Sequence, residues 1–154
     1  MLFRSELGCH LIDPLVRLLG KHAKVTPVLR HDAKDADALA DNCVAVFDFK
    51  HAIGIISSAT MQPTSGAHRT FEIQGTNGVA IVRPLEQPVL TVDLAKDAGP
   101  YKKGSQTINF PPYARYVPEF AELAACVRSG KPLAVTPEQD ELVHEALLKA
   151  SGMH

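Results

Sequence analysis

The chain has 154 residues, 45% hydrophobic and 21% charged, with a formal net charge of -1. This is the composition of one globular domain, neither fibrous nor disordered. The near-neutral charge, 6% aromatics and absence of Trp supply neither the basic surface nor the stacking platforms of a nucleic-acid binder. No run is apolar enough for long enough to make a signal peptide or a membrane helix.

In chain order, Leu7, Leu11, Leu15 and Leu18 recur at helical spacing and predict a first helix. Gly20 suits a left-handed C-cap for it. Pro14 falls inside the pattern. It has no N–H and crowds the His10 carbonyl, so the helix either kinks there or restarts with Asp13 as N-cap and Pro14 at the first helical position. A β-rich stretch follows. Residues 25–30 are a strand candidate. Residues 43–49, with Cys43, Ala45, Phe47 and Phe49 on one face, and residues 52–60 read as a hairpin across Lys50-His51. Residues 70–73 and 79–82 flank Gly75-Thr76-Asn77-Gly78, where Asn-Gly signals a tight turn because both positions tolerate positive φ. Residues 89–94 and 106–110 bring the set to about seven strands. Residues 96–104, rich in Lys, Gly and Asp, read as a flexible insert.

Two helices close the chain. Pro118 suits the first turn of one, whose apolar stripe is Phe120, Leu123, Ala124 and Val127. Gly130 and Pro132 stop it. Thr136-Pro137-Glu138-Gln139 then offers an N-cap, a first-turn proline and a capping-box partner. Leu142, Val143, Ala146, Leu147 and Ala150 make the stripe of this last helix. The order predicts a single α+β domain over residues 1–154. It is an open, mainly antiparallel sheet of about seven strands with helices packed on one face. Several strands are apolar on both parities: Val44, Val46, Ile56, Ala80 and Val82 on one, Ala45, Phe47, Ile55 and Ile81 on the other. Three helices cover one face of such a sheet, so the open face predicts a homodimer or higher homo-oligomer.

Cys9, Cys43 and Cys126 are far apart and odd in number, and they form no CxxC. Reduced thiols in a cytoplasmic setting are expected, with no disulfide framework and no structural zinc. Chemistry concentrates in Glu6-Leu7-Gly8-Cys9-His10-Leu11-Ile12-Asp13. On a helix Glu6, His10 and Asp13 share a face. A carboxylate beside an imidazole fixes its tautomer and raises its basicity, and such a pair can take a proton from an alcohol. The alternative reading is an exposed helix face with a charge pair. Cys9 beside His10 does not read as a nucleophile–base dyad, because sequence neighbours on a helix point about 100° apart. His22, His31, His51, His68, His144 and His154 fall on predicted loops and exposed positions. No metal-ligand spacing such as HExxH occurs among them.

Gly8-Cys9-His10-Leu11-Ile12-Asp13 followed by Leu18-Leu19-Gly20 resembles the start of the C-terminal domain in the glucose–fructose oxidoreductase/inositol dehydrogenase (Gfo/Idh/MocA) family. The resemblance continues in order through residues 44–49, residues 54–59, the Phe71-Glu72-Ile73-Gln74-Gly75-Thr76-Asn77-Gly78 turn, and the closing helices from Glu119-Phe120 to Thr136-Pro137-Glu138-Gln139. The resemblance implies that His10 relays the proton of a substrate hydroxyl. It also implies that Glu6 occupies the position of the family's Asp and that Asp13 occupies an acidic position following the histidine. Glu for Asp moves the carboxylate by one methylene, and a misplacement of about 1 Å can cost about a hundredfold in rate.

Family enzymes carry NAD or NADP on an N-terminal Rossmann domain and use a Lys from a Glu-Lys-Pro motif. This sequence has neither a strand–GxGxxG–helix unit nor Glu-Lys-Pro. A split subunit, a truncated reading frame or an excised domain is expected, binding no cofactor alone and not catalytically competent without a Rossmann domain. The first reading is therefore the substrate-binding and oligomerisation domain of an NAD(P)-dependent dehydrogenase acting on a sugar, polyol or related hydroxy compound, with a separate Rossmann-domain partner. The second is a stand-alone binding or scaffold module without redox chemistry. The third is a complete small enzyme using Glu6, His10 and Asp13 as acid and base.

Overall fold

A computed structural model describes residues 5–34 and 39–153, apart from the side chains of residues 5–7. In chain order the elements are α1 (Ser5–Leu19), β1 (Lys24–Arg30), β2 (Asn42–Phe49), β3 (Ala52–Ala59), β4 (Phe71–Gly75), β5 (Gly78–Val82), β6 (Val89–Leu94), β7 (Gly104–Asn109), α2 (Val117–Ser129) and α3 (Pro137–Ala150). The fold is α+β, and every strand pairing is antiparallel. Hydrogen bonding divides the seven strands into a sheet β1-β2-β3 and a sheet β4-β5-β6-β7. Apolar patterning marks a strand but not which edges pair, so this division is a finding of the structure. The chain forms two compact units, Met1–Met61 with Ala121–His154, and Gln62–Phe120.

The first unit holds the three-stranded sheet, α1 and α3. Helix α1 runs unbroken through Pro14 and does not restart at Asp13. The missing N–H of Pro14 leaves the His10 carbonyl without its ordinary helical donor. Gly20, at φ 77, ends the helix and donates its N–H to the Val16 carbonyl at 2.8 Å. Thr136 caps α3 by accepting from the Gln139 N–H, with Pro137 in the first turn. Both helices lie on one face of the sheet. Ile12, Leu15 and Val16 of α1 and Val143, Ala146, Leu147 and Ala150 of α3 bury against Cys43, Ala45, Phe47, Phe49 and Ile56. Each large apolar side chain buried this way contributes about 1.5–3 kcal/mol.

Register corrects the grouping by parity. Val46 faces Ile55 and Ala45 faces Ile56, so partners across this hairpin differ in parity. Ile56 joins Ala45 and Phe47 under the helices, while Ile55 joins Val44 and Val46 on the uncovered face. That face also carries Val28 and Ile53, and Val28, Ile53 and Ile55 are 56%, 71% and 68% exposed.

The second unit is a meander. Phe71, Ile73, Ala80, Val82, Leu90, Val92, Gln106 and Ile108 share one face, and Glu72, Gln74, Val79, Ile81, Thr91, Asp93, Ser105 and Thr107 share the other, mixed face. The β4–β5 hairpin pairs Gly75 with Gly78, so its two turn residues are Thr76 and Asn77, one position earlier than Asn-Gly suggests. Asn77 is bound on both sides to residue 96: its Nδ2 donates to the Lys96 carbonyl and its Oδ1 accepts from the Lys96 N–H. Gly78 takes the positive φ, at 144°. The segment read as a flexible insert is tied down: Asp97 accepts from the Lys103 N–H and pairs with Lys102 at 3.0 Å. Helix α2 buries no residue; Phe120 and Val127 of its apolar stripe are exposed.

Candidate active-site cleft

Helix α1 presents His10, Asp13 and Arg17 at i, i+3 and i+7, one face of a 3.6-residue helix. Ile12, Leu15 and Val16 anchor the opposite face in the core, which fixes where the polar face points. That face borders an open cleft of about 400 Å³. Cys9, His10, Asp13 and Arg17 line it from α1, Glu122 from α2, Leu133 and Val135 from the α2–α3 connection, and Asp140 and Val143 from α3. His10 is exposed and Asp13 is half-buried. Glu6 belongs to α1 by its backbone, but its side chain lies outside the described residues. The structure thus brings together His10 and Asp13 of the trio read from sequence.

Asp13 pairs with Arg17, whose Nε donates to Oδ1 at 2.9 Å and approaches Oδ2 at 2.8 Å. Sequence reading missed Arg17, although an acid four residues before an Arg on a helix face is a local signal for this pair. Glu122 accepts from the Ala134 N–H at 2.7 Å and so fixes the turn after α2. Asp140 lies in the first turn of α3, where the helix dipole favours a carboxylate. Glu122 and Asp140 join the cleft through tertiary packing from more than a hundred residues downstream, and no local spacing signals that.

His22 is not the exposed loop histidine that its position suggests. It is 3% exposed, with its ring edge-on to Phe47 at 6.4 Å. None of the three cysteines is in a disulfide. Among the described residues, no group of three His, Cys, Asp or Glu could hold a metal ion. No described helix is long and apolar enough to cross a membrane. A dinucleotide's pyrophosphate needs backbone N–H groups at a helix N-terminus free of negative charge. The first turns of α2 and α3 carry Glu119, and Glu138 with Asp140. Gly75 and Gly78 sit in a strand hairpin. The N-termini of α2 and α3 and the Gly75–Gly78 turn therefore do not fit a pyrophosphate.

The first unit is thus an α+β unit with one helix-covered sheet face and a histidine at the edge of an open cleft. The sequence matches the oxidoreductase family, C-terminal alpha/beta domain, over residues 3–140, and the chain belongs to this Gfo/Idh/MocA family as its C-terminal domain. Solved structures share the fold. UDP-N-acetylglucosamine 3-dehydrogenase GnnA from Acidithiobacillus ferrooxidans superposes with a TM-score of 0.76 at 14% identity over 94% of this chain and 44% of that one. A levoglucosan dehydrogenase in complex with NADH and levoglucosan superposes with a TM-score of 0.71 at 18% identity over 96% of this chain and 47% of that one. The chain spans about half the length of the structures it matches. No curated protein sequence matches it.

Proposed function

We propose that this chain, a single domain over residues 1–154, is the substrate-binding and oligomerisation half of an NAD(P)-dependent dehydrogenase of the cytoplasm. It acts on a sugar, polyol or related hydroxy compound and is inactive without a dinucleotide-binding partner. The observation that carries this reading is the exposed His10 on the rim of the α1–α3 cleft, in a chain of this family. His10 takes the proton of the substrate hydroxyl. Asp13 sets the charge on the same helix face, Glu6 stands at the position of the family's Asp by sequence, and the cleft walls hold the carbon skeleton. NAD or NADP binds the partner half, a reading supported by the acidic first turns of α2 and α3 here. The levoglucosan dehydrogenase described with NADH and levoglucosan supports the cofactor and the substrate class.

The test joins the chain, fused or in trans, to the dinucleotide-binding half of its own enzyme and follows NAD(P)H formation from a panel of sugars and polyols. His10→Asn is expected to lower kcat about 10²–10⁴-fold, the usual contribution of a general base, with KM little changed. Full turnover in His10→Asn overturns the assignment. So does turnover by the unassisted chain.

A further inference from the structure

The cleft holds charge of both signs, arranged unequally. Arg17 is the one permanent cation among its described lining residues, which also include the carboxylates of Asp13, Glu122 and Asp140. Arg17 is already engaged, its Nε lying between both Asp13 oxygens at 2.8–2.9 Å. Glu122 and Asp140 meet no lining Lys or Arg. A phosphate or carboxylate on a ligand entering here finds its one counter-charge occupied and two further negative charges nearby. Hydroxyl groups meet no such opposition, because carboxylates and an imidazole accept hydrogen bonds from them.

We propose that Arg17, sequestered by Asp13, is the specificity-determining residue of this cleft, and that it makes the cleft select uncharged polyhydroxyl compounds over phosphorylated or carboxylated ones. The proposal rests on the substrate-side reading above and narrows its substrate class. The pair is partly exposed, with side chains 49% and 33% accessible for Arg17 and Asp13, so it acts as a modest bias that one substitution can reverse. Releasing Arg17 from an exposed ion pair changes an equilibrium constant by up to about fivefold. Removing the Asp13 charge about 4 Å away is worth a similar factor.

The probes are myo-inositol as the uncharged polyol and inorganic phosphate as the anion, each titrated into the full chain while amide resonances of the cleft residues are followed. Wild type is expected to respond to myo-inositol and to bind phosphate at least several-fold more weakly. Asp13→Asn is expected to bind phosphate roughly tenfold more tightly than wild type. Asp13→Asn with Arg17→Gln is expected to lose that gain, with amide resonances outside the cleft unchanged in all three proteins. Phosphate binding that is equal in wild type and Asp13→Asn overturns the proposal, as does a gain that survives Arg17→Gln. The substrate-side reading fails separately, if His10→Asn retains full turnover in the assembled enzyme.

Discussion

His22 carries a cost that the fold absorbs. Neither ring nitrogen has a hydrogen-bond partner, and leaving a buried polar group unpaired costs about 1–3 kcal/mol. Burial pushes its pKa below the ordinary 6.5, and Lys149 and Lys21 push it further down, against an opposing pull from Glu145. As pH falls through 6.5 the unfolded chain takes up a proton that the folded chain refuses. Stability is therefore full above 6.5 and declines below it, until the depressed folded value is reached. Thermal unfolding between pH 7.5 and 5 checks this: the midpoint should fall with pH in wild type, and the slope should flatten in His22→Leu. At pH 7.5 His22→Leu should stay within about 1 kcal/mol of wild type or exceed it, since the unpaired groups are removed. A lower window belongs to Asp41. The N–H groups of Asp32 and Ala33 hold its carboxyl below the ordinary carboxylate range, with His31 beside it. Its contribution is present above 3.8 and is lost as pH falls toward its depressed folded value.

At the scale of elements, two glycines mark where backbone and core meet. A Cβ on Gly78 would lie 1.9 Å from the Asp93 carbonyl oxygen, and a Cβ on Gly54 would lie 2.7 Å from a Leu15 methyl. The first obstacle is backbone held in the β5–β6 ladder; the second is the end of a side chain that can turn. Gly54→Ala should cost about 1–3 kcal/mol in chemical denaturation, the range for overpacking. Gly78→Ala should cost more, because the strand itself must move; equal losses would contradict the geometry. The elements themselves were readable. Leucine spacing marks α1, Thr136-Pro137 marks the start of α3, and apolar runs mark the strands, because these signals are local. The turn position was off by one because Asn77 is fixed by Lys96, nineteen residues away, and not by its own φ preference. His10 and Asp13 were legible as one helix face. Glu122 and Asp140 were not, since their place in the cleft depends on how α2 and α3 return to α1. The burial of His22 was hidden for the same reason: a polar residue after a helix end reads as solvated until Phe47 and α3 close over it.

For the whole molecule, the face of β1-β2-β3 away from the helices is an apolar surface of the first unit, with Val28, Ile53 and Ile55 exposed on it. Val28, Val44, Val46, Ile53 and Ile55 line up across the three strands. We expect a two-fold homodimer through this face, because one self-complementary patch removes it from water on both copies. Light scattering at micromolar concentration should give the dimer mass, and Ile53→Lys with Ile55→Lys should give the monomer. A wild-type monomer would refute the interface. The nesting of one unit within the other in sequence bears on synthesis. Helices α1 and α3 share one core although they open and close the chain, so residues 62–120 form an insertion within the first unit. The β4–β7 meander joins only sequence neighbours, the topology that assembles soonest. The surrounding unit must instead close a loop across the whole insertion. The middle unit is therefore complete in sequence before the core around it can close, and the His10 cleft forms only when Val143 of α3 reaches a helix more than a hundred residues earlier.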